Sequence, residues 1–319
     1  MIKLSSLSNK VLQYGFVFLL VILLAGCTKK FLYSNIDWFV IEYLDDYVSL
    51  NDEQETLLEE RLLLLADWHK KEELPLYIDH LKELENINAN NITLAFLQQN
   101  REKMKAHYDR IVSRSAPDLF SLSLQLTPKQ QQEFLQNVRK DYQERNAKYA
   151  DKTEAEIREI ILENTEEWME EWIGELNSDQ KRYAKQISQQ TILNSPLWRN
   201  YRASIYQELE YLFENQSNSV VYQQVFMQLL FEPESYYSEQ LSENIDHNLG
   251  LVDQLTLNVA KSMTDKQWIH FHNKVKEWRV LARRTPRLNI LKTNGYRYVC
   301  QAEPRLSDEK MIQSKFLLN

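Results

Sequence analysis

Only five of the 319 residues are glycine, and seven are proline. Hairpins, tight β-turns and phosphate-cradling loops draw on glycine for backbone angles that other residues avoid. A chain this poor in glycine has few ways to turn sharply, and helices demand least of it. Leu, Gln, Glu, Lys and Arg dominate the sequence, all good helix formers. A hydrophobic content of 43% is ordinary for a domain with a proper core. No stretch alternates apolar and polar residues between turn signals, as a half-buried strand would.

The apolar spacing is helical throughout. Ile36, Phe39, Val40, Tyr43, Leu44 and Tyr47 recur at i, i+3, i+4, i+7, i+8 and i+11. A second helix is expected from Asp52 through Leu57, Leu58, Leu62, Leu65 and Trp68, with Pro75 suited to start another at its N1 position. Asn86 to Asn91 reads as a loop, after which Thr93 opens a helix to about Arg114. Pro117 is expected to break the chain and Pro128 to begin a helix to about Ala150. Lys152 to Ile173 comes next, with Ile157, Ile160, Ile161, Trp168 and Trp172 as its apolar side and Gly174 closing it. Further helices are expected at 178–193, 196–214, 219–231, 234–261 and 265–284. The fold class is therefore all-α, a bundle of about eleven helices.

The N-terminus carries an address. Lys3 and Lys10 precede the apolar run from Phe16 to Leu24, which ends in Leu24-Ala25-Gly26-Cys27. This is the charged region, apolar core and small-residue cleavage site of an export signal. It falls short of the roughly 20 apolar residues a spanning helix needs. The tetrapeptide L-A-G-C resembles the lipobox of bacterial lipoproteins. That resemblance implies cleavage before Cys27, palmitate-type acylation of its sulfur and acylation of the new amine. Several acyl chains hold firmly, whereas one alone is marginal. Thr28 rather than Asp follows the cysteine, which by the sorting rule of such lipoproteins implies the outer membrane, facing the periplasm. The expected divisions are a signal peptide (1–26), a lipidated linker (27–34), a helical periplasmic domain (35–284) and a mobile basic tail (285–319).

With Cys27 carrying lipid, Cys300 has no partner for an internal disulfide. Residues 27–278 hold 27 basic and 43 acidic side chains, a net charge of −16. Residues 279–319 hold nine basic and three acidic, a net of +6. The tail can neutralise its own body or meet phosphate-bearing lipids. An acidic body in an exported protein argues against nucleic acid as a partner.

One pentapeptide recurs four times: Leu50-Asn51-Asp52-Glu53-Gln54, Leu126-Thr127-Pro128-Lys129-Gln130, Leu176-Asn177-Ser178-Asp179-Gln180 and Met263-Thr264-Asp265-Lys266-Gln267. Its physics is a capping box. The Asn or Thr side chain accepts from an orphaned helix N–H, and Gln three residues on reaches back to the cap's own N–H. Irregular intervals of 76, 50 and 87 residues between the glutamines exclude a solenoid. The spacing resembles the LTxxQ motif of the Spy/CpxP group of helical periplasmic proteins, which implies an ATP-independent chaperone or stress-modulating role. Over roughly Phe31 to Arg284 the chain resembles a family of proteobacterial lipoproteins known only as a domain of unknown function. That likeness is carried by Asn35-Ile36-Asp37-Trp38, Tyr43-Leu44-Asp45-Asp46-Tyr47-Val48, the first capping pentapeptide and the run Trp68 to Tyr77. It implies an anchor and a fold but brings no catalytic residues.

Catalytic and metal motifs are absent. No histidine begins H-E-x-x-H, and no glutamate has a histidine three residues on, as di-iron bundles require. His69 and Glu73 share a helical face, a spacing that suits a metal pair but is expected here to be solvated or capping. No G-x-S-x-G elbow occurs. The most unusual run is Thr165 to Trp172, where Trp168 and Trp172 share one face and Glu166 and Glu170 another. It reads as a binding groove or, more simply, as an amphipathic helix with a buried Trp pair. No metal and no cofactor are expected. The reading is an outer-membrane lipoprotein whose non-catalytic helical domain binds unfolded or outer-membrane proteins, as chaperone or assembly accessory. The alternatives are a hydrolase acting on peptidoglycan or lipid, and a structural tether.

Overall fold

The computed structural model describes residues 36–284, with side chains from Val40 to Arg283. The lipidation site Cys27, the linker before Ile36, the tail and Cys300 lie outside the described residues. Eleven α-helices make up the fold, with no strand among the described residues. They are α1 (Ile36–Asp45), α2 (Asp52–Trp68), α3 (Leu74–Leu84), α4 (Leu94–Ser123), α5 (Pro128–Ala147), α6 (Glu154–Ile173), α7 (Ser178–Gln190), α8 (Ser195–Glu214), α9 (Ser219–Phe231), α10 (Glu239–Ser262) and α11 (Asp265–Arg284). None of these helices is long and apolar enough to cross a membrane.

Three apolar clusters hold the helices together. Met169 and Ile173 of α6 meet Ala184 and Ile187 of α7 and Leu255 and Val259 of α10. Leu257 and Ala260, on another side of α10, pack with Ile87 and Ile92 of the α3–α4 loop. Met263 and Trp268, which flank the fourth capping box, pack against that same cluster. Leu212 of α8 joins Tyr222 and Val225 of α9, with Phe120 of α4 against them. Long helix α10 thus spans two cores, as a central helix must when its apolar positions cover more than one stripe.

The four capping boxes all form, and their glutamines do more than cap. Gln54 and Gln130 donate to each other's amide oxygens, at 3.3 and 2.6 Å, while those oxygens also accept from the N–H of Asn51 and Thr127. The remaining N–H of Gln54 donates to Gln125 O at 2.9 Å, and that of Gln130 to Ser49 O at 2.9 Å. Both carbonyls lie two residues before the partner's cap. Gln180 and Gln267 repeat the reciprocal pair at 3.0 and 2.8 Å, again while capping Asn177 and Thr264. Here Gln267 reaches Glu175 O, and Asn177 reaches Ser262 O. One lock ties the start of α2 to the start of α5; the other ties α7 to α11.

Three prolines mark local departures. Pro117 lies inside α4, which continues to Ser123 rather than breaking at 117 as its sequence predicts. Burial of Val112 and Ala116 before it, and packing of Phe120 after it, hold the two halves in line. Ser115 also turns its hydroxyl back to Ile111 O and Val112 O. Before Pro75 the helix widens into a π segment, His69–Glu73, in which Leu74 N–H reaches back five residues to His69 O. Proline supplies no N–H and crowds the carbonyl four residues back, and one extra residue in the turn relieves both. At Pro233 a short 3-10 turn, Pro233–Tyr236, replaces the expected first turn of α10, which Ser238 caps instead. Gly174 ends α6 at φ 79°, with His270 packed 3.7 Å from where a Cβ would stand.

Candidate functional site

The π segment turns Glu73 inward. An extra residue in a 3.6-residue turn rotates the downstream side chains by about 100°, and Glu73 ends fully buried. There its carboxylate takes a forked pair of bonds from Arg110 of α4, Nε to Oε2 at 2.7 Å and Nη2 to Oε1 at 2.8 Å. His107 Nδ1 lies 2.5 Å from Oε1. Its Nε2 meets His80 Nδ1 at 3.2 Å, and His80 Nε2 meets Asn100 Oδ1 at 2.6 Å. Tyr77 stands edge-on to His107, with centroids 4.4 Å apart.

The proton order in this chain is set at its carboxylate end. There His107 Nδ1 donates to Glu73 Oε1, so in the neutral ring His107 Nε2 accepts from His80 Nδ1. Burial lowers the His107 pKa from its ordinary 6.5, opposed by Glu73. Burial pushes Glu73 upward, but the hydrogen bonds from Arg110 and His107 prevail and hold it below the usual 4.5. The network therefore pairs one ionised carboxylate with one arginine at neutral pH. Glu73 is thus not solvated: its hydrogen bonds go to Arg110 and His107, while His69 stands edge-on to Tyr77 at 5.4 Å.

A cleft of about 390 Å³ opens elsewhere, between the α5–α8 pair and the α6–α7 pair. One wall is a stripe of α6, Ile157, Ile160, Ile161 and Trp168. The other carries Arg145 of α5, Lys148 of the following loop, and Arg199 and Arg202 of α8. Asp141 is the sole acidic residue in the lining, and it already holds Arg145 at 2.7 Å. Arg202 donates through Nε and Nη2 to one neutral oxygen, Asn146 Oδ1, at 3.0 and 2.6 Å. Burial and the neighbouring Arg145 lower its pKa from the ordinary arginine value. Trp198, Tyr201 and Tyr237 pack edge-to-face with centroids 4.9 to 5.5 Å apart, stiffening the α8 wall. Asn248 of α10 pins the loop between α7 and α8 through Ile192 N and O, at 2.9 and 3.0 Å. Arg158 reaches the carbonyls of Ser188, Gln189 and Thr191 and closes the end of α7.

The residues singled out from sequence divide between these places. Trp168 lines the cleft and is 38% exposed. Trp172, four residues on, packs into the core 6.3 Å from Phe271. The two tryptophans do not form a buried pair, because α6 presents one stripe to the core and a neighbouring one to the cleft. Glu166 is half-buried and Glu170 exposed, and neither lines the cleft. Asn51, Gln54, Thr127, Gln130, Asn177, Gln180, Thr264 and Gln267 are all engaged in the two locks. Sequence reasoning missed the cationic wall and the buried network, though both had a signal: Arg145, Lys148, Arg199 and Arg202 at helical spacing, and Pro75 within a helical run. No group of three or more His, Cys, Asp or Glu gathers to hold a metal among the described residues.

Fold and site together define an all-helical domain whose bundle is locked by buried amides and whose flank opens into an amphipathic cleft. Residues 46–242 match the DUF6279 family, a family of unknown function. The match covers more than half of the chain, which therefore belongs to that family. It takes in the first lock, the buried network and nearly all of the cleft lining, but not Gln267. No curated protein and no solved structure matches the chain.

Proposed function

We propose that this is an outer-membrane lipoprotein, anchored through acyl chains on Cys27, whose helical domain binds other envelope proteins in the α5–α8 cleft without covalent chemistry. The observation that carries the reading is the cleft itself, an apolar wall of α6 left partly open to solvent and faced by a cationic wall from α5 and α8. A few convergent polar groups on an apolar surface are the usual form of a recognition site. The LTxxQ-like motifs, for which the sequence suggests kinship with periplasmic chaperones, contribute through the fold, since their amides are consumed in the locks. Client capture falls to the cleft.

Two measurements test this. A photo-crosslinking amino acid at Ile157, introduced in intact cells, is expected to trap one or a few envelope proteins, while the same group at the 73%-exposed Val220 traps none of them. Equal patterns at both positions overturn the cleft as the binding surface. Substituting Cys27→Ala is expected to abolish acyl mass and release the protein from the membrane fraction. Retention of both would overturn the anchor.

A further inference from the structure

The chemistry of the cleft narrows its occupant further, provided that it is a protein-binding site. We infer that it takes the C-terminal end of a partner polypeptide, the last apolar side chain lying on the α6 wall and the free carboxylate facing Arg202 and its neighbours. Four cations and one acid line the cleft, in a body whose net charge is −16, so positive charge is concentrated here against the trend of the molecule. Arg145 is engaged by Asp141. Arg202 and Arg199 have no carboxylate partner among the described residues. The Arg202 guanidinium is half-buried and shares a single neutral acceptor, Asn146 Oδ1, between two of its nitrogens. A guanidinium so placed gains most from a planar, two-oxygen anion, which its fork matches bidentately.

Anion and apolar group must belong to one small ligand, because wall and cations face one cavity of about 390 Å³. A chain terminus carries both on one residue, and capture of terminal carboxylates is a recurring mode of peptide recognition. A fatty acid has the same two ends but no hydrogen-bonding groups between them. The lining argues for a peptide: Asn164, Thr191, Tyr142 and Tyr149 intersperse the apolar residues. Those groups can satisfy backbone N–H and C=O on burial, whereas an acyl chain would desolvate them and offer no hydrogen bond in exchange.

The test uses the full chain in a nonionic detergent and fluorescence anisotropy of a fluorescein-labelled heptapeptide ending Ser-Leu-Phe. The peptide with a free carboxylate is expected to bind about tenfold or more tightly than its C-terminal amide, a ratio typical of one charge-assisted contact. Arg202→Gln should bring the acid down to the level of the amide and leave the amide unchanged. Arg199→Gln, on an exposed side chain, should act in the same direction and guards against a folding defect at position 202. Octanoate should compete poorly. Equal binding of acid and amide overturns the inference and leaves the protein-binding reading standing. Octanoate competing as well as the peptide overturns it in favour of an acyl ligand. Failure of both peptides also overturns it, and crosslinking at Ile157 then decides separately whether the cleft binds proteins at all.

Discussion

Glutamine, not glutamate, stands at the third position of the four repeated boxes, and the difference decides what the motif can do. Either side chain can accept from the cap's N–H. Only the amide also donates: in each lock two amides donate to each other, and Gln54, Gln130 and Gln267 donate onward to a backbone carbonyl. The fifth box, Thr153 with Glu156, shows the contrast: its carboxylate caps well, stays exposed and joins nothing. Gln180 is fully buried, so Gln180→Glu would keep the cap but set oxygen against the oxygen of Gln267. A buried acceptor left without its donor costs about 1–3 kcal/mol. Gln180→Glu is expected to lower unfolding free energy by about that amount or more in urea denaturation, whereas Glu156→Gln should leave the midpoint nearly unchanged. Equal effects at the two sites would show that the glutamine pair adds nothing to the cap. The boxes themselves were legible in sequence, because capping is a local pattern. Their pairing was not, because residues 76 and 87 positions apart meet only through the fold.

Among the elements, the π segment at His69–Glu73 has the largest chemical consequence. A regular helix through 68–84 would leave Glu73 about 100° away from where it now sits. Spacing alone therefore misplaces it, and reads His69 and Glu73 as a solvated pair. Breaking a fully buried ion pair typically costs about 3–5 kcal/mol; Arg110 is half-exposed and Glu73 keeps His107, so Arg110→Ala is expected to destabilise by less than that. The pH dependence is fixed by the two shifts. His107 is lowered from 6.5 by burial, so the unfolded chain binds more protons between the two values and stability falls as pH drops below 6.5. His69, also lowered by burial, acts in the same window. Glu73 is lowered from 4.5 by Arg110 and His107 against its burial, so its contribution is present above 4.5 and is lost as pH falls through the folded value. Melting temperature should fall in two stages on acidification. His107→Gln should shrink the first stage, and His69→Gln with it should remove the remainder. A first stage unchanged in the double variant would place the titrating group elsewhere. Pro117 teaches the reverse lesson, since a residue that breaks isolated helices is overridden when packing holds both sides.

At the scale of the molecule, fold class was readable because glycine poverty and helical spacing run through the whole chain, whereas the cleft arises between elements. Ile157, Ile160, Ile161 and Trp168 read from sequence as one apolar side shared with Trp172, yet α6 turns this stripe to the cleft and uses Met169 and Ile173 inside. Charge pattern was equally misleading: the contrast visible along the chain lay between acidic body and basic tail, while the cations that converge in the described residues come from α5, α8 and the loop at Lys148. Electrostatics then makes a demand on the whole surface. A body of net −16 repels acidic partners at long range, so an anionic ligand must be drawn by a local field that survives this background. That field is screened within about 8 Å at physiological salt, which confines it to the cleft mouth. Lys148 and Arg199 are both exposed there. Reversing them together, Lys148→Glu and Arg199→Glu, should change stability by no more than about 0.5 kcal/mol each, as exposed substitutions usually do. The same double reversal should abolish crosslinking at Ile157 and steepen the loss of peptide binding at low ionic strength, where repulsion is least screened. Crosslinking that persists through the reversal would mean that the apolar wall alone recruits the partner, and that the arginines serve only to hold α5 against α8.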